Sequence, residues 1–196
     1  MKLKLSSVVF ISIIWSALQR WAVKLLNLLT FTILAWLLAP EEFGIVALST
    51  ICISFIEIFV SQGLGFAIIQ KNDLLDEHID TAFWVNLGFG ALSTCVLILV
   101  SGPVSLLLKQ PQLAQVLFWT SFTLFISGAN RIQAALLSRN LAFKSLAICA
   151  IISSVAGSIV GISMAFLKFK VWSLVGQQLT IAVVGMLVLW RVADWR

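Results

Sequence analysis

Basic and amide side chains recur at helical spacing inside apolar segments of this chain. Arg20, Lys24 and Asn27 stand at i, i+4 and i+7 and so share one face of a predicted helix. Arg131, in a later apolar segment, is predicted at a similar depth. Cations in a partly dehydrated hollow hold phosphate strongly, and an arginine can bind two phosphate oxygens at once. The spacing therefore predicts an anion site built from separate segments.

A competing interpretation stays open for each cation. Long basic side chains can bend to the nearest headgroups and bind nothing there. An ionisable group held at mid-bilayer depth costs roughly 2.5 to 3.5 kcal/mol on insertion scales, so it normally faces protein or water. Gln133, close to Arg131 in the sequence, is expected either to line the same hollow or to hydrogen-bond between helices.

Glu57 is the acidic counterpart of these cations and is predicted near the bilayer midplane, too deep to reach the headgroups. Three roles remain open for it: an ion pair with Lys24, a carboxylate that takes up a proton or a sodium ion, or a protonated group with a structural hydrogen bond. Gln62 is expected to line the same cavity or to bond a neighbouring helix.

Composition shows what kind of element must position these groups. Of the 196 residues 61% are hydrophobic and 11% are charged, whereas soluble domains are about 45 to 50% apolar and about 25% charged. The apolar runs are continuous rather than alternating, which favours helices over a membrane β-barrel. We expect an all-α polytopic bundle forming one transmembrane domain over 1–196. The predicted helices are 15–38, 44–69, 82–107, 113–137, 145–167 and 171–191.

Lysine and arginine positions predict a cytoplasmic N-terminus. With that orientation, seven basic residues lie at cytoplasmic ends and three at the opposite side. The seven are Lys2, Lys4, Lys71, Arg139, Lys144, Arg191 and Arg196; the three are Lys109, Lys168 and Lys170. The net charge of +5 is scattered rather than gathered on one face, which argues against nucleic-acid binding.

Patterns for metals, cofactors and catalysis are lacking in the sequence. Cys52, Cys95 and Cys149 lie in apolar runs without ligand spacing. The acidic loop around His78 lacks the calcium-loop and zinc patterns, and no nucleotide or nucleophile motif occurs. We expect no metal, no cofactor and no enzyme activity.

Small residues recur every fourth position in the fifth predicted helix. They are Ser153, Gly157, Gly161 and Ala165. Such a strip lets another backbone approach closely. We interpret it as packing inside the bundle rather than as a dimer contact.

Five blocks of the sequence resemble the amino-terminal half of Wzx-type oligosaccharide flippases of the multidrug/oligosaccharidyl-lipid/polysaccharide superfamily. The blocks are WSALQRW at 15–21, LAPEEFGIVA at 38–47, GLGFAIIQ at 63–70, DTAFWVN at 80–86 and ALLSRNLAF at 135–143. The resemblance implies a multi-pass protein of the bacterial inner membrane. It also implies transport of undecaprenyl-pyrophosphate-linked oligosaccharide to the periplasmic leaflet, for lipopolysaccharide or exopolysaccharide synthesis.

In that family two lobes enclose a cationic cavity, to which the resemblance assigns Arg20, Lys24 and Arg131. Trp36 stands where relatives often carry a basic residue, so the charge of the cavity is expected to differ. Relatives have about twice as many spans. We therefore expect either a truncated chain lacking its carboxy-terminal half or a homodimer. The alternative functions are a noncatalytic scaffold of a polysaccharide assembly machine or an inactive fragment, with a lipid-linked glycosyltransferase a weaker third.

Overall fold

The molecule is a bundle of long antiparallel helices, seen in a computed structural model. The structure describes the backbone of residues 2–60 and 76–192. Within these ranges it describes the side chains of Trp15 and of residues 19–58 and 77–192. The helices in these ranges are α1 (Lys2–Leu37), α2 (Pro40–Val60), α3 (Asp76–Leu107), α4 (Pro111–Arg139), α5 (Phe143–Phe166) and α6 (Val171–Val192). The predicted all-α fold class is confirmed.

Four helical stretches are long and apolar enough to cross a membrane. They are Gln19–Leu37, Glu77–Leu107, Phe143–Phe166 and Val171–Val192. The two helices between them, α2 and α4, have 21 and 29 residues, which also reaches across about 30 Å of hydrocarbon at 1.5 Å per residue. The chain is a multi-pass membrane protein.

The helix boundaries differ from the predicted ones mainly at the N-terminal ends. α1 begins at Lys2 rather than 15, and α3 at Asp76 rather than 82. α2 begins at Pro40, not 44, because proline suits the first helical turn and the Glu42 carboxylate accepts the Ala39 N–H at 3.0 Å. The predicted end of the second helix, with Gln62, lies outside the described residues.

Close helix crossings depend on small residues. α3 and α4 meet at Gly90 and Gly128, where a Cβ on Gly128 would lie 2.7 Å from the Asn86 carbonyl oxygen. The small-residue strip of α5 faces α6: a Cβ on Gly161 would lie 3.0 Å from Cβ of Gln177. The interpretation of that strip as packing inside the bundle is confirmed.

The largest apolar core lies towards the end of the bundle where α1 turns into α2, α3 into α4 and α5 into α6. Its buried members include Leu34, Ile45, Leu113 and Val171. We call this the turn end. Further along the bundle α1 packs on α5, and α2 packs on α4, α3 and α6. Among the described residues α1 and α2 do not pack on each other beyond their adjoining ends, so the two helices diverge from the turn.

Candidate functional site

The predicted cationic face of α1 is exposed, and near the turn the same face contacts the start of α2. Arg20, Lys24 and Asn27 are all solvent-exposed, and Phe31 continues their face at i+11 from Arg20. The Phe31 ring meets Phe43, at the start of α2, edge to face with centroids 5.3 Å apart. The face that carries both cations therefore borders the opening between the two diverging helices.

The opposite wall of this opening is formed by α2. Phe43, Thr50 and Glu57 recur every seventh residue, so they lie along one side of the helix. Glu57 is half-buried. We call the space bordered by the Arg20 face of α1 and the Glu57 side of α2 the α1–α2 cleft.

Glu57 is predicted near the bilayer midplane, and the structure gives its position along α2. It stands about 26 Å from the start of α2 at Pro40, at 1.5 Å per residue. Arg20 lies about the same 26 Å from the end of α1 at Leu37. Arg20, rather than Lys24, is thus the cation level with Glu57.

Lys24 makes its observed contact within α1. Its ammonium lies 6.0 Å from the centre of the Trp21 ring, a distance typical of a cation–π contact. In the part of the chain that the structure describes, Lys24 forms no ion pair with Glu57. The three roles open to the Glu57 carboxylate remain predictions.

Arg131 lies on the core-facing side of α4. It follows Leu113 by five full turns and Leu124 by two, and both leucines belong to the main core. At this depth the side chain is half-buried rather than sealed in the core. Arg131 stands about 30 Å from the start of α4 at Pro111, a depth close to that of Arg20. The predicted similarity of depth agrees with these helix registers.

Gln133 occupies a different environment from Arg131. It is 1% exposed, and two helical positions rotate it by about 200° from Arg131. Leu137, one turn along the same side, packs with Cys149 and Leu189 of α5 and α6. The Gln133 Oε1 is buried without a hydrogen-bond partner among the described atoms. Gln133 therefore does not line an open hollow in this structure, contrary to the first of its two predicted roles.

A polar cavity that sequence reasoning missed lies at the turn end. Its volume is about 760 Å³. Its polar lining residues are Glu41, Glu42, Gln110, Gln112 and Lys170. These residues come from three parts of the chain that are far apart in sequence. Their position at helix ends was the only sequence feature that could have indicated a shared cavity. The polar residues that flank Pro111 and the Lys–Phe–Lys turn look like ordinary solvated turns in the sequence.

Comparison with known proteins identifies the family. Residues 33–196 match the family model described as "Polysaccharide biosynthesis protein". The chain belongs to this family. The resemblance to Wzx-type polysaccharide flippases is thereby confirmed.

Curated relatives of this polysaccharide biosynthesis protein carry transport and membrane names. It is 29% identical over 92% of its length to the succinoglycan biosynthesis transport protein ExoT of Rhizobium meliloti. Over 67% of its length it is 29% identical to an uncharacterized membrane protein in the cps region of Klebsiella pneumoniae, and 24% identical to the lipopolysaccharide biosynthesis protein WzxC of Escherichia coli.

The chain spans only part of these relatives. The matched region covers 37% of ExoT and 27% of WzxC. No solved structure matches the chain significantly. Family membership and the apolar helices together establish a multi-pass membrane protein of the polysaccharide biosynthesis family.

Proposed function

We propose that this chain serves in moving undecaprenyl-pyrophosphate-linked oligosaccharide from the cytoplasmic to the periplasmic leaflet of the bacterial inner membrane. The observation that carries the proposal is the exposed face of α1. Arg20, Lys24 and Asn27 border the α1–α2 cleft, because Phe31 on the same face contacts Phe43. With the N-terminus in the cytoplasm, both cations lie in the cytoplasmic half of the membrane, where the lipid pyrophosphate would enter.

The chemistry of the cleft suits a pyrophosphate headgroup. The Arg20 guanidinium offers paired N–H donors to two phosphate oxygens, and the Lys24 ammonium adds a point charge one turn away. Arg131 adds a third cation at similar depth from α4. Attraction between these groups and a phosphate is stronger at low local dielectric than in water. The polar sugar would then cross in a space bordered by protein rather than through the acyl chains.

The acidic wall gives this transporter a means of coupling to an ion gradient. Glu57 is half-buried at the depth of Arg20. A carboxylate there can hold a proton or a sodium ion when the pyrophosphate is absent and release it when the cations are engaged. This part of the proposal selects one of the three roles predicted for Glu57.

A complete translocation path needs more protein than these helices. The chain covers 37% of ExoT, and among the described residues α1 and α2 do not pack on each other beyond their adjoining ends. The proposed arrangement is therefore one lobe of a transporter. The second lobe would come from further polypeptide, as in a half-length or truncated form, or from a second copy of the chain.

The test is lipid flipping in proteoliposomes that contain the 196-residue chain and a fluorescent undecaprenyl-pyrophosphate disaccharide. We expect a reagent that quenches only the outer leaflet to show lipid crossing with the chain and slower crossing with Arg20→Gln or Lys24→Gln. Lys109→Gln, at an exposed position of the turn end, is the matched loss of charge and should leave crossing unchanged. Crossing that is equal with and without protein would refute the proposal and favour a noncatalytic scaffold.

A further inference from the structure

The cavity at the turn end is separate from the α1–α2 cleft in position and in charge. It is formed where the first turns of α2 meet the α3–α4 and α5–α6 turns. Arg20 lies about 26 Å from this end of the bundle at 1.5 Å per residue. A ligand group held in the cavity is thus not held by the cations of the cleft.

The cavity lining presents both hydrogen-bond donors and acceptors. Glu41 and Glu42 supply carboxylate oxygens, Lys170 an ammonium, and Gln110 and Gln112 amides that donate and accept. Sugar hydroxyl groups do both as well, so this mixture matches them. Two carboxylates against one ammonium leave an excess negative charge, which disfavours phosphate.

The walls between these polar groups are apolar, and part of them belongs to the main core. Ile45, Leu48 and Ile51 line the cavity along α2, and such side chains suit the C–H faces of sugar rings. Ile45 is 8% exposed and belongs to the main core, whereas Ile51 is 65% exposed. Backbone hydrogen bonds of about 3.0 Å close both turns, from Leu113 N–H to Gln110 O and from Ser173 N–H to Lys170 O. The backbone that carries the polar groups is therefore fixed at both turns, and most of the polar side chains are exposed to a ligand.

The size of the cavity also suits a short saccharide. Its volume of about 760 Å³ falls within the range of about 300 to 1,000 Å³ found for pockets that hold drug-sized ligands. We propose that this cavity binds the sugar portion of the transported lipid, as a second contact distinct from the pyrophosphate site. The proposal rests on the proposed function for the identity of its ligand.

Gly44 allows the cavity to be filled without disturbing the fold. It lines the cavity in the first turns of α2, and a Cβ built on it would meet no atom within 4 Å. A leucine there is also favoured over glycine by helix propensity. Gly88 is the matched control, since it is also exposed in a helix, has equally open space and does not line the cavity.

The experiment uses saturation-transfer NMR to measure the binding of two neutral disaccharides, maltose and lactose, to the detergent-solubilised chain. We expect binding that Gly44→Leu abolishes and Gly88→Leu retains. Lys170→Gln should weaken it about tenfold through loss of a charged hydrogen bond. Lys109→Gln is the matched control, because both lysines are exposed turn residues with φ near 54°.

Three other outcomes overturn the inference, and a fourth separates the sugar site from the proposed function. Disaccharide binding that survives Gly44→Leu would place the sugar elsewhere. Binding of tetramethylammonium but of no disaccharide would make the cavity a cation site. If no disaccharide binds but the chain still flips lipid, the sugar site is refuted and the proposed function is unaffected. The chain could also bind sugar, respond to the variants as expected and still flip no lipid. That result would support the sugar site in the cavity and refute the transport function.

Discussion

The rings of Phe31 in α1 and Phe43 in α2 meet edge to face, with centroids 5.3 Å apart and planes at 66°. This contact fixes which sides of the two helices face each other next to the turn. Because Phe31 shares a face with Arg20 and Lys24, and Phe43 shares a side with Glu57, the same contact supports the proposal that these opposite charges line one cleft. In that proposal the site depends on an aromatic pair that itself carries no charge.

Neutralising either cation of α1 should weaken pyrophosphate binding. We expect Arg20→Gln and Lys24→Gln each to raise the dissociation constant for undecaprenyl pyrophosphate by about tenfold or more, as loss of a charged hydrogen bond would. Arg20→Lys should recover part of the loss, because one ammonium replaces a two-pronged donor. Equilibrium binding in nanodiscs measures the effect, with Lys109→Gln as control. Equal affinity for undecaprenyl pyrophosphate in all variants would mean that these side chains extend to the lipid headgroups and do not bind the pyrophosphate.

Replacing Glu57 by glutamine should separate transport from its driving gradient. The amide has nearly the same shape but cannot exchange a proton or attract a sodium ion, so flipping should no longer respond to either gradient. The measurement is lipid crossing in vesicles with imposed proton or sodium gradients, compared with the parent chain. A variant that responds to both gradients as the parent does would leave Glu57 a structural hydrogen-bonding role.

The hydroxyl contact between α1 and α5 should contribute measurable stability. Thr30 is 3% exposed and donates to Ser158 Oγ at 2.7 Å, and Ser158 donates to the Ser154 carbonyl at 2.8 Å. We expect Thr30→Val to cost about 0.6 to 1.7 kcal/mol, as for other hydrogen bonds between membrane helices. Thr32→Val is the control, because Thr32 is exposed and bonds only its own helix in the described structure. Equal unfolding midpoints in detergent would contradict the prediction.

A methyl group at Gly128 should force α3 and α4 apart. Its Cβ would lie 2.7 Å from a backbone oxygen and 3.2 Å from Gly90 Cα, and backbone cannot move aside as a flexible side chain can. We expect Gly128→Ala to destabilise the protein by about 1 to 3 kcal/mol, as overpacking does. Gly88→Ala, with open space around the new methyl, should be neutral or stabilising. The measurement is the thermal unfolding midpoint of each variant compared with that of the parent chain. Equal midpoints for Gly128→Ala and the parent would contradict the prediction.

The sequence predicted the helices better than the site, for physical reasons. Long apolar runs specify membrane helices by composition, and the fourfold strip at Gly157 and Gly161 specifies a close crossing. The second helix was predicted to begin at 44, whereas proline fits the first helical turn and α2 begins at Pro40. Gln133 could not be assigned a side, since an amide two positions from an arginine gives no clue to what packs against it.

The cavity was beyond prediction for a different reason. Gln110 and Lys170 belong to separate turns, and only the packing of α2 against α4 and α6 brings those turns together. No local sequence pattern indicates that these two turns lie close together. By contrast, the cations of α1 needed no such knowledge, because they lie within two turns of one helix and share its face through periodicity alone.

The turns that follow α1, α3 and α5 all lie at the same end of the bundle. A membrane-impermeant thiol reagent applied to intact cells would therefore meet all three turns or none. A single cysteine placed at Lys109 reports the sidedness of the whole chain, once Cys52, Cys95 and Cys149 have been replaced. One labelling reaction thus decides which face of the membrane the sugar-sized cavity opens to.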